Sequence, residues 1–478
     1  MGATWRIRLW SNNYSSRFES AFRMDAAECT LELRMRLSQP APGRIQLLSG
    51  RRQVGKTTLL VELADELGPK AIYWSGDESG STAPGAFGRA FADVEAASSV
   101  GGTAVLLLDE ITSLPSWAAH LKGAWDRLRR RKLRVHIVAT GSSSVVLGEG
   151  VEESLAGRFE RLELTHWTPT ALAKNFRMSA ERACETTLRS GTYPGAVEYS
   201  NAPERWAAYI RDAVIEPALS RDIRDIGRVR RPALLRQVFH VATSSPAQIV
   251  ALEKMQGRLD ESGSLETIAS YLGLLERAYH VAHLDKFSTR AARQRAAPPK
   301  LVTLNHALLA VADPLGAPTA NTDPERFGRW LENAVLAHAW NRGQRVRYWR
   351  EEPHEVDAVL DGSWGSFAIE VKSGRYSKAD LTGLFEFTRR HPRYRPLVVG
   401  VAGNLIVAER LGLPVMRWQD FLLRGPARIS DTRDLVSEIA PTDRATKKPQ
   451  KKPASGPRTP RSPARLRSRV HPARPRAR

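Results

Sequence analysis

Ile45-Gln46-Leu47-Leu48-Ser49-Gly50-Arg51-Arg52-Gln53-Val54-Gly55-Lys56-Thr57-Thr58-Leu59-Leu60 is the stretch that decides the fold. Its centre, Gly50 to Thr57, fits the pattern G-x-x-x-x-G-K-[ST], which arises by chance in roughly one or two of a hundred chains of this length. Context lifts it above chance. The residues before the loop make a short apolar strand and those after it carry helical spacing, so strand, glycine-rich loop and helix follow in the order a phosphate-binding loop requires. In such a loop successive backbone N–H groups converge on a triphosphate, the lysine reaches the outer phosphates and the threonine hydroxyl supplies an oxygen for Mg²⁺. The residues expected to hold the nucleotide are therefore Gly50, Arg51, Gln53, Val54, Gly55, Lys56, Thr57 and Thr58, with Thr57 also on Mg²⁺.

A second segment supports the first. Thr103-Ala104-Val105-Leu106-Leu107-Leu108 is an unbroken apolar run, as in a strand buried on both faces, and it ends in Asp109-Glu110. Ligands in open α/β sheets bind at the carboxyl ends of the strands. Asp109 is accordingly expected in the Mg²⁺ shell, through water, and Glu110 is expected to polarise the water that attacks the γ-phosphate. This acidic pair is expected at the tip of a strand neighbouring the loop. A third strand, Val135 to Ala139, ends in Thr140-Gly141-Ser142-Ser143-Ser144, whose hydroxyls either face the γ-phosphate or cap a helix. Arg158 follows a helix's length later and is a candidate for stabilising charge on the γ-phosphate.

Composition bounds the rest. A chain of 478 residues predicts two or three domains, and 42% hydrophobic with 26% charged residues is the balance of a soluble protein. With only Cys29 and Cys184, a disulfide framework or a cysteine metal site is not expected, in keeping with a cytoplasmic location. No apolar run approaches the roughly 20 residues that span a bilayer, and no membrane association is expected. Of the net charge of +21, +12 lies between Pro441 and Arg478, where 13 Lys or Arg face one acid, Asp443. That segment is rich in Pro and Ser, cannot offset chain entropy by burial, and is expected to be a disordered basic tail suited to a polyanion such as DNA or RNA.

Between the loop domain and the far end, Pro169 to Phe176, Glu181 to Leu188, Trp206 to Leu219 and Pro232 to Val241 carry helical spacing, broken by a tight turn at Gly191-Thr192-Tyr193-Pro194-Gly195. From Ala247 to Phe287, an apolar helix face (Leu265, Ile268, Ala269, Leu272, Leu275) precedes an alternating run, Ala278 to Leu284, which predicts a winged helix. The exposed side of that helix, read as Glu266, Thr267, Ser270 and Tyr271, lacks the cations of a base-reading helix, so a structural or protein-contact role is favoured.

Three strands are expected further on, at residues 346–350, 355–360 and 366–372. Pairing the last two as a hairpin about Ser363 and Trp364 sets Asp357 opposite Glu370 and Glu355 opposite Lys372, all on one face. Facing carboxylates beside a lysine can hold Mg²⁺ for phosphodiester cleavage, and Glu332 on a preceding helix could add an acid. Asp357, Glu370 and Lys372 are thus candidate catalytic residues, and Glu332, Asp357 and Glu370 candidate metal ligands; the alternative is cross-strand ion pairing on a solvated face.

Taken together, Ser49 to Leu60, Leu108-Asp109-Glu110-Ile111, Leu114-Pro115-Ser116-Trp117, Thr140-Gly141-Ser142-Ser143 and Ala156-Gly157-Arg158 resemble a large group of prokaryotic AAA-type ATPases of poorly defined role, over residues 42 to 422. The resemblance implies a P-loop NTPase (AAA-like) parallel-sheet domain, a helical and winged-helix middle, and a C-terminal α/β domain similar to PD-(D/E)XK restriction endonucleases. It also implies ATP hydrolysis by Lys56, Thr57, Asp109 and Glu110, with Glu332, Asp357, Glu370 and Lys372 matching the nuclease-like acids and lysine. One departure is plain: where that group commonly carries Lys, an apolar stretch and Asp, this chain has Lys300-Leu301-Val302-Thr303-Leu304 followed by Asn305.

The expected organisation is an N-terminal extension (1–40), P-loop core (41–165), helical lid (166–230), winged-helix-like region (231–300), nuclease-like domain (301–425) and basic tail (441–478). The expected function is an AAA-type ATPase coupling ATP hydrolysis to the nuclease-like domain, on or near DNA, in a form compatible with a homo-oligomer. Its rivals are a non-catalytic signalling scaffold whose C-terminal domain only docks a partner, and a transporter component or chaperone that never touches nucleic acid.

Overall fold

The computed structural model describes residues 22–426 apart from residues 82, 84, 142–154, 223–228, 262 and 290–296. The expectations for Ser142 to Ser144, for residues 1–21 and for the basic tail fall outside the described residues.

Six parallel strands form the first sheet: β1 (Phe22–Met24), β2 (Ile45–Gly50), β3 (Ala71–Ser75), β4 (Ala104–Asp109), β5 (Val135–Thr140) and β6 (Phe159–Leu164), in the order β1-β6-β2-β5-β4-β3. The apolar runs are continuous because both faces are covered. Ile45, Leu47, Leu106, Leu108 and Ile137 pack with the helices Ala86–Gly101 and Trp117–Arg130, while Leu48, Val105, Leu107 and Val138 pack with Ala26–Leu37 and Lys56–Leu67. Two expectations change here. Residues 22–37 are not a separate extension: β1 pairs with β6 and its helix packs on the sheet. The acid-bearing β4 is not beside β2 either, because β5 lies between them.

The middle region is helical from Pro169–Asn175 and Ala180–Ser190 to Pro203–Tyr209, which continues as a π-helical segment, Ile210–Ile215, so the expected single helix over 206–219 changes its hydrogen bonding part-way. Three helices, Pro232–Thr243, Leu252–Gln256 and Leu265–Arg277, then accompany a three-stranded antiparallel sheet of β7 (Gln248–Ile249), β9 (Lys300–Thr303) and β8 (Val281–Leu284), in that order. Tyr271, expected on the exposed side, is buried, and its hydroxyl accepts the Arg231 N–H at 3.3 Å. The alternating run is a strand only from Val281; Ala278 caps the preceding helix and Tyr279 turns with φ 57°.

The last sheet is mixed, β10 (Arg345–Glu351), β11 (His354–Asp361), β12 (Phe367–Lys372), β13 (Arg395–Gly400) and β14 (Val415–Arg417), with the first two pairings antiparallel and the last two parallel. The helix Pro324–Asn341 and the helix Trp418–Arg424 cover one face; Thr382–Arg390 covers the other. Ala358 pairs with Ile369, the register expected for the hairpin.

A buried polar network joins these regions. Asn305 uses its whole side chain: Oδ1 accepts from the Thr192 and Ala307 amides at 3.2 and 3.1 Å, and Nδ2 reaches His166 Nδ1 at 2.9 Å and Thr192 Oγ1 at 3.1 Å. Burial, aided by Arg51, pulls His166 down to about 3, so its ring is neutral. Since the Tyr279 carbonyl 3.1 Å from Nε2 can only accept, Nε2 carries the proton and Nδ1 accepts from Asn305. An aspartate at 305 has no N–H to offer there, which accounts physically for the amide. Gly191 faces this network with φ +75°, and a Cβ on it would collide with Asn305 Oδ1 and the Ala307 amide. We expect Gly191→Ala to lose about 3 kcal/mol or more of stability in urea unfolding, from left-handed strain plus overpacking; a loss under about 1 kcal/mol would mean that the network yields to the methyl group.

Candidate functional site

The glycine-rich loop runs from the carboxyl end of β2 into the helix Lys56–Leu67. Gly50 is needed for close approach: a Cβ there would strike the Leu164 carbonyl of β6. Lys56 is buried, and its Nζ donates to the carbonyls of Gly50 (3.1 Å) and Arg51 (2.9 Å), folding the side chain back over its own loop. Thr57 and Thr58 are exposed at the start of the helix.

Because β5 separates β2 from β4, Thr140 at its tip stands beside the acids. Its hydroxyl donates to Asp109 Oδ1 at 2.5 Å and accepts the Glu110 N–H at 3.0 Å, while Tyr73 donates to Asp109 Oδ2 at 3.2 Å. Asp109, 2% exposed, is therefore held through both oxygens. Glu110 is turned by a left-handed backbone, φ 44° and ψ 47°, strained for a residue with a Cβ. Burial raises its pKa, the Lys56 ammonium opposes the rise, and Asp109 adds to it. Lysine and glutamate thus sense one another across the loop.

Arg158 is a correction. It directly precedes β6, whose Phe159 pairs with Ile45 at the start of β2, whereas Gly50 pairs with Leu164 at the other end. A six-residue strand is about 20 Å long, so Arg158 lies at the opposite edge of the sheet from the phosphate loop of its own chain. Its guanidinium donates instead to Asp126, at 2.9 Å from Nε.

Two loop side chains face the middle region. Gln53 Nε2 donates to the Ala213 carbonyl at 2.5 Å, and its Oε1 accepts from Tyr209 at 3.3 Å. Arg51 Nη1 donates to the Tyr279 carbonyl at 3.4 Å, with the guanidinium 4.8 Å from the Tyr193 ring centre. Trp167 Nε1 donates to the Val54 carbonyl at 2.9 Å. No local pattern marks these long-range partners, so sequence reasoning had no route to them.

The C-terminal acids also converge. Val371 N–H donates to Asp357 Oδ2 at 2.8 Å, and Lys372 Nζ donates to Glu370 Oε1 at 2.8 Å. Burial first, then Asp357, raises the pKa of both Glu332 and Glu370. Among the described residues, no group of three or more His, Cys, Asp or Glu is arranged to hold a metal ion. The expected metal set of Glu332, Asp357 and Glu370 is corrected accordingly, and the physical reason is a lysine. Lys300, on β9, is 2% exposed and pairs directly with Glu332; its Nζ lies 3.7 Å from both Glu355 Oε1 and Asp357 Oδ1. Burial works against this ammonium, but Glu332, Asp357 and Glu355 together outweigh it and raise its pKa. A lone lysine in an apolar strand was the signal available in the sequence, since lysine is almost never fully buried unless paired.

Comparison with known proteins agrees with the loop geometry. Residues 42–170 match the family model of an AAA domain. This segment is an AAA-type P-loop ATPase domain. Beyond it, residues 181–319 and 327–417 match two domains of unknown function, DUF8612 and DUF4143. No curated protein matches the chain. Similar solved structures include AMPPCP-bound DnaA from Aquifex aeolicus (15% identity, 52% of this chain and 87% of that one, TM-score 0.28) and the Aeropyrum pernix ORC1 protein in complex with DNA (15%, 63% and 92%, 0.24). PCH-2 of C. elegans is similar at 16% identity over 53% of this chain and 66% of that one, TM-score 0.24. Likeness at these scores transfers nothing to the present chain. No helix among the described residues is long and apolar enough to cross a membrane.

Proposed function

We infer that this chain is an ATP-driven conformational switch: the AAA-type domain binds and hydrolyses ATP, and nucleotide state is passed to the middle region through the phosphate loop itself. The observation that carries this reading is the bonding of loop side chains to the middle region, Gln53 to Ala213 and Tyr209 and Arg51 to Tyr279. A triphosphate drawing the loop amides inward changes the positions of those two side chains, and a loop bonded to another region cannot move without loading it. Gly50, Gly55 and Lys56 form the cradle, with Thr58 at the start of its helix. Mg²⁺ would be held by Thr57 and, through water, by Asp109, whose hard oxygens suit it; it would neutralise charge on the β- and γ-phosphates. Glu110 receives the proton of the attacking water.

The three helices and antiparallel three-stranded sheet support a winged-helix reading of the middle. The hairpin acids, Lys372 and the mixed sheet support a restriction-endonuclease-like reading of the last domain. Lys300 among the acids favours the version in which that domain docks a partner rather than cleaves. The charge of the tail alone supports action on or near DNA or RNA.

Hydrogen exchange with and without Mg-ATP tests the switch. We expect ATP to alter protection in residues 203–219 and 265–284 of the wild type, and Gln53→Ala to lose at least half of that response while still binding ATP. Unchanged exchange in the middle region at saturating ATP would sink the coupling. ATPase rates with single-stranded DNA, duplex DNA and RNA, each at two salt concentrations, test the partner; a rate indifferent to all three favours the rival without nucleic acid.

A further inference from the structure

The C-terminal cluster draws its parts from two regions. Glu332 comes from the helix Pro324–Asn341, Glu355 and Asp357 from β11 and Glu370 from β12, all in the mixed-sheet domain; Lys300 comes from β9, in the three-stranded sheet of the middle region. Its ammonium pairs with Glu332, stands 3.7 Å from one oxygen each of Glu355 and Asp357, and is 3.4 Å from the Asp357 carbonyl. Around it, Lys372 holds one oxygen of Glu370 and Arg350 lies 3.8 Å from Glu355. The other oxygen of Glu370, on a residue 8% exposed, has no hydrogen-bond partner.

We propose that Lys300 is a tethered cation that gathers these carboxylates around an ammonium in place of a divalent ion, so that the wild-type cluster binds no divalent metal and acquires a site when the ammonium is removed and the carboxylates close on the vacated space. An ammonium is compact, and three carboxylates with a peptide carbonyl already surround it, as oxygen ligands surround a hard cation. A covalently attached cation needs no recruitment from solution, so an ion competing for the same space must displace a charge that cannot diffuse away. Taking the ammonium out leaves Glu332, Glu355 and Asp357 without their shared counter-charge, a state that a buried cluster relieves by binding a cation or a proton. The consequence is a strut: the middle region and the last domain are joined by a charge that either alone would leave unpaired. This stands apart from nucleotide binding and holds whether or not the switch reading does.

The test is Mn²⁺ binding to the nucleotide-free full chain, read by electron paramagnetic resonance of the free ion, in wild type, Asp357→Asn, Lys300→Met and the double variant. The expected result is no Asp357-dependent Mn²⁺ in wild type, about one additional Mn²⁺ per chain at micromolar affinity in Lys300→Met, and its loss in the double variant. A thermal midpoint for Lys300→Met that rises with Mn²⁺, while that of the wild type does not, agrees with the same displacement. A Mn²⁺ ion bound by wild type and lost in Asp357→Asn overturns the proposal. So does a cooperatively folded Lys300→Met protein that gains none. If Lys300→Met does not fold, Lys300→Gln is measured in the same way, and a folded Lys300→Gln protein that gains no Mn²⁺ overturns the proposal.

Discussion

Lys56→Ala is expected to fold and to bind Mg-ATP about 100-fold more weakly than wild type, or worse, by titration calorimetry. The lysine is 5% exposed, and two carbonyls of its own loop hold its ammonium. Much of the entropy of ordering a long side chain is thus spent before nucleotide arrives, so its attraction to the phosphates is realised nearly in full. A charge-assisted hydrogen bond contributes about 1.5–3 kcal/mol, and about 2.8 kcal/mol is a hundredfold. The substitution also removes the cation that opposes the raised pKa of Glu110, so any residual turnover should need higher pH than the wild type does. Binding within threefold of wild type would place the nucleotide elsewhere on the chain.

Glu110→Gln separates binding from chemistry. We expect ATP affinity within a few-fold of wild type and a single-turnover hydrolysis rate lower by about 10² to 10⁴, the range for losing a positioned general base. The main-chain bond from Glu110 N–H to Thr140 survives the substitution, and so does the hold of Thr140 on Asp109. The left-handed backbone at residue 110 is therefore kept and only the proton acceptor is lost. Turnover equal to wild type would show that another group orients the water.

Lys56 was legible because the phosphate-loop chemistry is local: the strand, the loop and the helix that make it are consecutive, and periodicity reports each. The same holds for the apolar β4 ending in Asp109-Glu110, and for the hairpin whose register follows from pairing two alternating strands. What holds Glu110 was not legible. Thr140 reaches the acids only because β5 is inserted between β2 and β4, and strand order is a property of crossovers that no single strand records. Arg158 shows the reverse: its place a helix's length beyond the third strand made it a candidate for the γ-phosphate, but the start of a parallel strand sets it at the end of the sheet away from its own chain's loop.

The C-terminal acids make the contrast sharper. Glu332, Asp357, Glu370 and Lys372 were identified by spacing and do come together, yet the identity of the cation among them was set by Lys300, from another sheet. The edge strand Phe22–Met24 was missed because three residues carry too little periodicity to register, and it is pairing with β6 that makes them a strand. Contiguous residues were enough for the phosphate-binding loop, the acidic strand tip, the hairpin register and the charge of residues 441–478, because each is written through periodicity, turn chemistry or charge. The tertiary structure alone decided which regions the loop grips, which edge Arg158 occupies and what neutralises the buried acids, because those depend on residues brought together from far along the chain, where packing and desolvation, not local preference, select the partner.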